Sequence, residues 1–369
     1  MRAPPHRIER LPQQYFTALL ARVAAAMTDG GEPLVDLGRG NPEVGPPPHI
    51  VDALARSAAR SDVHGYAPFA GLPALKEAIA ARYATVYGVE LDAAREVAVV
   101  PGSKTALMEF ALVAVERGET ILLPDPGYAD YPSAVALAGA QRESFTGDFA
   151  AARGAALYLN HPSNPTAACA PEGLFDEAVR WAERQRAWVL HDFAYGDLVF
   201  DGRRPQSFLA TDGARDVGIE LFSMSKSYGM AGWRVGFALG NADLVSRIET
   251  LQDHVFAGIF RPVQEASISA LTGPQDSVEE RRATYERRRD RALSALSGLD
   301  AQSEGTFFVW FRLPDGLTAE RLLAEHRVAV APGEGFGPRG AGYARLSLAV
   351  TDEVLDAGLE RLAAALGPR

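Results

Sequence analysis

Five short apolar segments, each followed by a cluster of polar or turn-forming residues, constrain the fold of this chain most strongly. They are rich in β-branched residues and read VAVV at 97–100, TILL at 120–123, AALYL at 155–159, AWVL at 187–190 and GIELF at 218–222. Alanine- and charge-rich stretches with helical periodicity lie between them, as at 103–118 and 171–186. Strands that are apolar on both faces and alternate with helices predict an α/β fold, in which a parallel sheet is covered by helices on both sides.

The length and the change of pattern along the chain predict two domains. The 369 residues exceed what one ordinary core holds. After about residue 275 comes one long, charged helical stretch, followed by the strand-like segments GTFFVWFRLP and YARLSLAV, which indicate a smaller α+β unit. We therefore expect a large domain over 46–275 and a small domain formed by 1–45 and 276–369.

Composition excludes several classes of protein. A hydrophobic fraction of 47%, a charged fraction of 23% and a mean hydropathy of −0.07 are typical of a globular protein. The net charge of −10 argues against a nucleic-acid partner. With Cys169 as its one cysteine, the chain has no disulfide framework, and we expect no metal site. We see no apolar run of membrane-spanning length and no export signal, so we expect no membrane association and a cytoplasmic location.

Polar residues are concentrated immediately after the five apolar segments. The sequences that follow them are PGSKT, PDPGY, NHPSNPT, HDFAY and SMSK. In an open parallel sheet, ligands bind beyond the carboxyl ends of the strands. These hydroxyl, amide, aromatic, carboxylate and amine groups are therefore expected to meet at one edge of the sheet and form a ligand site.

The Gly-Ser turn in PGSKT predicts an anion site. A turn that opens a helix presents free backbone N–H groups and the positive end of the helix dipole. Ser223, Ser225 and Arg234 could add further contacts, with a bidentate grip from the arginine. A nucleotide phosphate loop is excluded, because VAVVP stands where its first glycine would be. On its own, PGSKT fits an ordinary capped helix start equally well.

Asp192 and Lys226 narrow the choice of ligand. An aspartate at the end of a buried strand is costly unless it meets a cation or a donor, and a protonated ring nitrogen ~4 Å away would supply roughly 4 kcal/mol at an effective dielectric of ~20. A helix N-cap is the alternative role for Asp192. Lys226, close to Arg234 and partly desolvated, should have a lowered pKa and attack a carbonyl. A nucleophilic lysine, a carboxylate for a ring nitrogen and a phosphate cup together predict pyridoxal 5′-phosphate (PLP).

With these motifs in place, the sequence resembles the class I/II aminotransferases, the fold-type-I family of PLP enzymes. The resemblance covers nearly the whole chain and includes the stretches at 37–54, 64–80, 223–237 and 342–350. It implies a large domain with a mostly parallel seven-stranded sheet between helices, plus a smaller α+β domain.

The same resemblance implies a reaction. The enzyme would be a PLP-dependent aminotransferase that exchanges an amino group between an amino acid and a 2-oxo acid in a ping-pong cycle. A β-lyase, cyclase or oxidase on this fold would use the same residues, so these alternatives stay open. A non-catalytic ligand-sensing domain is disfavoured by the acidic charge and by the lack of a helix-turn-helix pattern before residue 40.

The resemblance also implies roles for residues around the cofactor ring. Lys226 would form the Schiff base and carry the proton during the reaction, and Asp192 would pair with the ring nitrogen. Asn164 and Tyr195 would bond the phenolic oxygen, and Tyr128 would stack on the ring. The implied catalytic residues are Lys226, Asp192 and Tyr195.

Further roles concern the phosphate and the substrate. The implied phosphate ligands are Ser103, Lys104, Ser223 and Arg234, with Ser225 as a weaker candidate. Tyr66 would reach the phosphate in the site of a second subunit, so the active unit should be a homodimer with shared sites. Arg345 would clamp the substrate α-carboxylate, with help from the backbone of Gly40 and from Asn164.

The sequence leaves substrate identity open. Residues of the N-terminal segment PQQYF, of the loop after LGRGNP and of a second subunit are expected to contact the substrate side chain, and the motifs slightly favour alanine-, glutamate- or diaminopimelate-type enzymes over aromatic specialists. Arg39, His254 and Arg261 could recognise an acidic side chain, although each fits a surface or interface position as well. Ala167 departs from the family pattern, which often has glycine after NPT; alanine is acceptable there unless the turn needs a positive φ. Cys169 nearby is expected to be a small core residue.

Overall fold

The computed structural model of the chain describes residues 4–28 and 32–367. Over these residues it has the α-helices α1 (His6–Glu9), α2 (Tyr15–Thr28), α3 (Pro48–Ala58), α4 (Pro73–Arg82), α5 (Ser103–Ala114), α6 (Tyr131–Ala138), α7 (Leu174–Gln185), α8 (Ala214–Val217), α9 (Met224–Ser227), α10 (Ala242–Val255), α11 (Arg261–Thr272), α12 (Asp276–Ala295), α13 (Ala319–His326) and α14 (Asp352–Leu366). The strands are β1 (Val35–Asp36), β2 (Val97–Val100), β3 (Thr120–Pro124), β4 (Gln141–Phe145), β5 (Ala156–Leu159), β6 (Trp188–Asp192), β7 (Gly218–Ser223), β8 (Gly236–Gly240), β9 (Ala301–Gln302), β10 (Phe308–Arg312), β11 (Val328–Ala329), β12 (Ala331–Pro332) and β13 (Tyr343–Ser347).

A seven-stranded sheet forms the centre of the larger unit, in the order β2-β8-β7-β6-β5-β3-β4. Strand β8 runs antiparallel to both of its neighbours, and every other pair in the sheet is parallel. The five apolar segments of the sequence form β2, β3, β5, β6 and β7. The mostly parallel α/β sheet that the sequence predicted is therefore confirmed.

Successive residues of the central strands enter two different cores. In β2, Val97 and Val99 belong to the core on one face, and Ala98 and Val100 belong to the core on the other. The first core also contains side chains of α3, α4, α7 and α11, and the second contains side chains of α5, α6 and α10. Because both faces are buried, these strands show no polar alternation in the sequence.

The smaller unit is built on the antiparallel sheet β12-β13-β10-β9. The long charged stretch forms α12, as the sequence predicted. The N-terminal segment joins this unit, because β1 pairs in parallel with β11 through Val35 and Val328. The boundaries at 45/46 and 275/276 remain a prediction.

The polar segments that follow β2, β3, β5, β6 and β7 contribute residues to one cavity at the carboxyl edge of the central sheet. Phe308 of β10 and Arg345 of β13 face the same cavity from the smaller unit. The predicted ligand site therefore lies between the two units. Across the described part of the chain, we find no helix with the length and apolar character needed to cross a membrane.

Candidate active site

The cavity has a volume of about 400 Å³. The residues that the sequence predicted for the site and that line this cavity are Gly40, Ser103, Lys104, Tyr128, Asn164, Asp192, Tyr195, Lys226 and Arg345. They come from distant parts of the chain and from both units. The structure thus brings most of the predicted site residues together, while their individual roles remain proposals.

Lys226 lies in the short helix α9, directly after β7. Its Nζ donates a hydrogen bond to the backbone oxygen of Gly40 at 3.1 Å. Burial, together with the positive charges of Arg345 and Arg234, lowers the pKa of Lys226 to about 8, while Asp192 acts in the opposite direction. The direction of this shift agrees with the lowered pKa that the sequence predicted, and about a tenth of the amine is then neutral at pH 7.

Asp192 ends β6 and is buried. Its Oδ2 accepts a hydrogen bond from the hydroxyl of Tyr131 at 2.9 Å, and its Oδ1 accepts one from the backbone N–H of Ala194 at 3.3 Å. Burial raises the pKa of Asp192, and the two donors and Lys226 partly offset this. A buried carboxylate with so few donors is suited to a cationic partner.

Arg345 is buried in β13, with 1% of its surface exposed. Its Nη1 donates to the side-chain oxygen of Asn164 at 2.7 Å, and its Nη2 donates to the backbone oxygen of Gly38 at 3.0 Å. Its buried Nε has no hydrogen-bond partner among the residues that the structure describes, and burial lowers the pKa of Arg345 to about 10. Within residues 4–28 and 32–367, no carboxylate lies at ion-pair distance from this guanidinium.

Aromatic rings enclose the Arg345 guanidinium. Its Cζ lies 3.9 Å from the ring centroid of Phe308, 4.9 Å from that of Phe336 and 5.5 Å from that of Phe16. Cation–π attraction stabilises the charge without neutralising it. Arg345 is therefore a desolvated cation whose natural partner is a bound anion.

Asn164 connects Arg345 to the carboxyl edge of the central sheet through hydrogen bonds. The backbone N–H of Asn164 donates to the side-chain oxygen of Asn160 at 2.7 Å, and Asn160 in turn donates to the backbone oxygen of Asp192 at 2.7 Å. The ring of Tyr195 lies 5.8 Å from Lys226 Nζ. This network fixes the amide of Asn164 and the end of β6 relative to each other.

The PGSKT turn and Arg234 form a cradle beside the cavity. Gly102 precedes α5 with φ +85 and ψ 148, a conformation open essentially to glycine alone. A Cβ atom at Gly102 would lie 2.3 Å from Nη2 of Arg234, so the guanidinium approaches the turn closely. Arg234 itself has φ +58, and its Nη1 donates to the backbone oxygen of Ala231 at 2.8 Å.

Four of the predicted cofactor ligands do not line the cavity: Ser223, Ser225, Arg234 and Tyr66. Ser223 is buried and caps α9, where its Oγ accepts from the backbone N–H of Ser225 at 3.2 Å. Tyr66 is 87% exposed and packs against Phe69, with ring centroids 6.3 Å apart.

Lys104 lines the cavity, but its amine already has a partner. Its Nζ lies 2.7 Å from Oδ2 of the buried Asp130. Gln14 donates to the other oxygen of Asp130 at 2.8 Å. Because its amine is paired, Lys104 is better placed to bind an anion through its backbone N–H, which lies in the first turn of α5.

Sequence reasoning assigned no role to several residues of the site, namely Tyr131, Asn160, Phe16 and Phe308. Asn160 opens NHPSNPT and Phe16 ends PQQYF, two segments that the sequence marked only as a whole. Tyr131 lies three residues beyond PDPGY, so a wider search of the segment after β3 would have found it. Phe308 carries no motif that marks it.

Two sequence expectations need correction. Ala167 has φ +56, so the turn after NPT does require a positive φ, at a cost of about 1–2 kcal/mol for alanine. The methyl group of Ala167 is buried in the core of the smaller unit, which offsets part of this cost. Cys169 is half-buried and outside the core, and burial raises the pKa of its thiol to about 11.

The geometry agrees with the comparisons with known proteins. The family model described as aminotransferase class I and II matches residues 32–362. The chain belongs to this family. The similar curated proteins are aminotransferases, so the chain is an enzyme that transfers nitrogenous groups.

Similar proteins span the whole length of this aminotransferase. It is 42% identical to the L-glutamine–4-(methylsulfanyl)-2-oxobutanoate aminotransferase of Bacillus subtilis, over 97% of this chain and 95% of that protein. It is 37% identical to an LL-diaminopimelate aminotransferase of Moorella thermoacetica, over 98% of both chains. Among solved structures, substrate-bound BacF of Bacillus subtilis superposes with a TM-score of 0.93 at 33% identity, over 99% of this chain and 98% of that one.

Proposed function

We propose that this aminotransferase exchanges an amino group between an amino acid and a 2-oxo acid, with PLP bound in the 400 Å³ cavity. One arrangement carries the proposal: the amine of Lys226 and the buried guanidinium of Arg345 share this cavity, and among the described residues no carboxylate pairs with that guanidinium. Burial lowers the pKa of the amine to about 8. Lys226 suits the carbonyl carbon of an aldehyde, and Arg345 suits the α-carboxylate of an amino acid.

The residues fit PLP at its three distinctive groups. The buried carboxylate of Asp192 suits a protonated ring nitrogen, because an unpaired charge there would be costly. The turn at Gly102, the first turn of α5 and Arg234 form a cradle for the phosphate. Lys226 lies in the same cavity as Asp192 and can hold the aldehyde carbon.

The protein side of the reaction follows from these positions. When bound, PLP supplies an electron sink that makes the Cα proton of the amino acid removable. Arg345 holds the substrate carboxylate and so orients the Cα–H bond. The neutral Nζ of Lys226 accepts the Cα proton. Burial, with the charges of Arg345 and Arg234, keeps the pKa of Nζ low enough for this role.

The proposed active unit is a homodimer. Tyr66, Phe69, Val255 and Phe260 are large apolar side chains that stand exposed, Tyr66 at 87% and Val255 at 66%. Exposed apolar clusters mark interaction surfaces. We propose that a second copy covers this surface and that Tyr66 reaches the phosphate in its site. The cytoplasmic location expected from the sequence stays a prediction.

A half-reaction tests the proposed activity. The protein loaded with PLP should show a visible absorption band that fades when an amino donor is added, with one equivalent of 2-oxo acid formed and no ammonia released. Lys226→Ala should abolish the band and the turnover. Lys76→Ala is the matched control, because the amine of Lys76 lies outside the cavity and pairs with Glu249 at 2.5 Å. Full activity in Lys226→Ala, or release of ammonia by the wild type, would contradict the proposal.

A further inference from the structure

One wall of the cavity is the apolar face of α2. Phe16, Leu19, Leu20 and Val23 line it, at the spacing i, i+3, i+4 and i+7 that places four residues on one face of a helix. Leu19 and Val23 are buried, whereas Leu20 is 41% exposed. We refer to these four residues as the α2 wall.

The α2 wall begins next to Arg345, the residue that we propose for the substrate carboxylate. The ring centroid of Phe16 lies 5.5 Å from Cζ of Arg345 and 6.0 Å from the ring centroid of Tyr128. From Phe16 to Val23 the helix axis advances by about 10 Å, at ~1.5 Å per residue. An extended side chain whose α-carboxylate is held by Arg345 could therefore run along the wall.

Apart from Lys226 and Arg345, the described cations that line the cavity each have a carboxylate partner. Arg39 Nε lies 2.6 Å from Asp36, and Lys104 Nζ lies 2.7 Å from Asp130. A carboxylate at the end of a substrate side chain would therefore compete with Asp36 or Asp130 for these charges. Because the carboxylates of the chain already offset both charges, such a substrate gains less from either cation than it would from an unpaired one.

Arg261 of a second subunit would not add an unpaired positive charge to the cavity. That arginine, a candidate from the sequence for recognising an acidic side chain, bonds Glu265 at 2.8 Å and lies 3.9 Å from Asp62. Its charge is therefore compensated within its own chain.

We propose that the α2 wall is the side-chain pocket of this aminotransferase and that it selects amino acids with uncharged, apolar side chains, such as leucine and methionine, over dicarboxylic ones. This inference rests on the proposed function, because it places the α-carboxylate at Arg345. Apolar contact with the α2 wall stabilises such a side chain, and the exposed surface of Leu20 is the part that the substrate would cover.

The test measures the half-reaction with single amino donors and no acceptor. The second-order rate constant for fading of the PLP band is compared for leucine, methionine, glutamate, aspartate and LL-diaminopimelate. We expect leucine and methionine to react at least about tenfold faster than the three dicarboxylic amino acids, because leaving a charged group unpaired costs more than ~1.4 kcal/mol. If none of the five donors makes the band fade, the proposed function is refuted. If the band fades faster with glutamate, aspartate or LL-diaminopimelate than with leucine and methionine, this inference alone is refuted.

Two variants probe the pocket directly. Leu20→Ala should lower the rate constant for leucine relative to that for alanine about fivefold to tenfold, because apolar contact area is lost. Leu112→Ala is the matched control: Leu112 is also a helical leucine, 42% exposed, but it lies outside the cavity, so the ratio should not change. An unchanged ratio in Leu20→Ala would overturn the inference.

Asp36→Asn should make the enzyme more reactive toward a dicarboxylic donor. The asparagine keeps an acceptor for the backbone N–H of Gly38, which Asp36 Oδ1 accepts at 2.9 Å, but it frees the charge of Arg39. We expect the glutamate-to-leucine ratio of rate constants to rise about threefold to tenfold, the effect of one partly exposed ion pair. A ratio that stays the same or falls would show that Arg39 does not face the substrate side chain.

Discussion

Gly102→Ala is the substitution whose effect follows most directly from the geometry. The new Cβ would lie 2.3 Å from Nη2 and 2.8 Å from Cζ of Arg234, whereas ordinary carbon contacts are about 3.5–4.0 Å. The guanidinium would therefore have to retreat by more than about 1 Å from the turn. Because Arg234 already has a positive φ, its backbone has little freedom to absorb the change.

Two magnitudes follow from this clash. Alanine in the glycine-only conformation of residue 102 costs about 1–3 kcal/mol in the free energy of unfolding. Displacing Arg234 would remove the charged hydrogen bond that we propose to the PLP phosphate, worth about 1.5–3 kcal/mol. The dissociation constant of PLP should therefore increase about tenfold to a hundredfold.

The assay is titration of the apoprotein with PLP, read at the visible band, beside chemical denaturation of the same samples. Gly173→Ala is the matched control, because Gly173 also precedes a helix with a positive φ of +77 but has no atom within 4 Å of an added Cβ. The control should lose stability and keep its PLP affinity. If Gly102→Ala loses stability but binds PLP as tightly as the wild type, the phosphate cradle is wrongly placed.

Three further predictions follow from the buried polar groups. Tyr131→Phe removes a hydrogen-bond donor to Asp192, so the pKa of that carboxyl should rise. The acid limb of the kcat/KM profile should then move to higher pH, and kcat should fall about fivefold. An unchanged profile would contradict this. Glu220→Gln should lower the free energy of unfolding by about 3 kcal/mol. Glu220 is fully buried, where it pairs with His191 and accepts hydrogen bonds from Tyr83, Ser207 and the backbone N–H of Phe208. A denaturation midpoint equal to that of the wild type would contradict this prediction. The rate at which the apoprotein captures PLP should rise with pH and level off above about 8, the pKa of Lys226, because only the neutral amine attacks the aldehyde; a rate still rising steeply beyond pH 9.5 would indicate an unperturbed lysine.

The sequence identified strands where burial on both faces leaves a clear pattern. Strand β4 escaped because it is an edge strand: its sequence, QRESF, is exposed except at Phe145. Strand β8 reads GFALG, and its flanking glycines hide a fully buried strand that pairs antiparallel with two neighbours. Both strands owe their pairing to tertiary context, which local patterns do not record.

The candidate site was predictable where chemistry and strand ends coincide. Lys226 and Asp192 follow apolar runs and carry groups that are costly to bury, so their positions stood out. Phe308 of β10 was not predictable in this way, because an apolar residue on a strand looks like a core residue. Phe16 of α2 was anticipated only as part of the segment PQQYF. The positive φ at Ala167 was also hidden, since alanine gives no signal for that conformation.

The central claim is that PLP is bound covalently by one particular lysine, and the chain offers an unusually clean test. It contains three lysines, Lys76, Lys104 and Lys226, and the first two are held by Glu249 and Asp130. Reduction of the PLP-loaded protein with borohydride, followed by peptide mapping, should place one equivalent of label on Lys226 and none on the other two. Label on Lys76 or Lys104, or no label at all on a protein that still transaminates, would contradict the account.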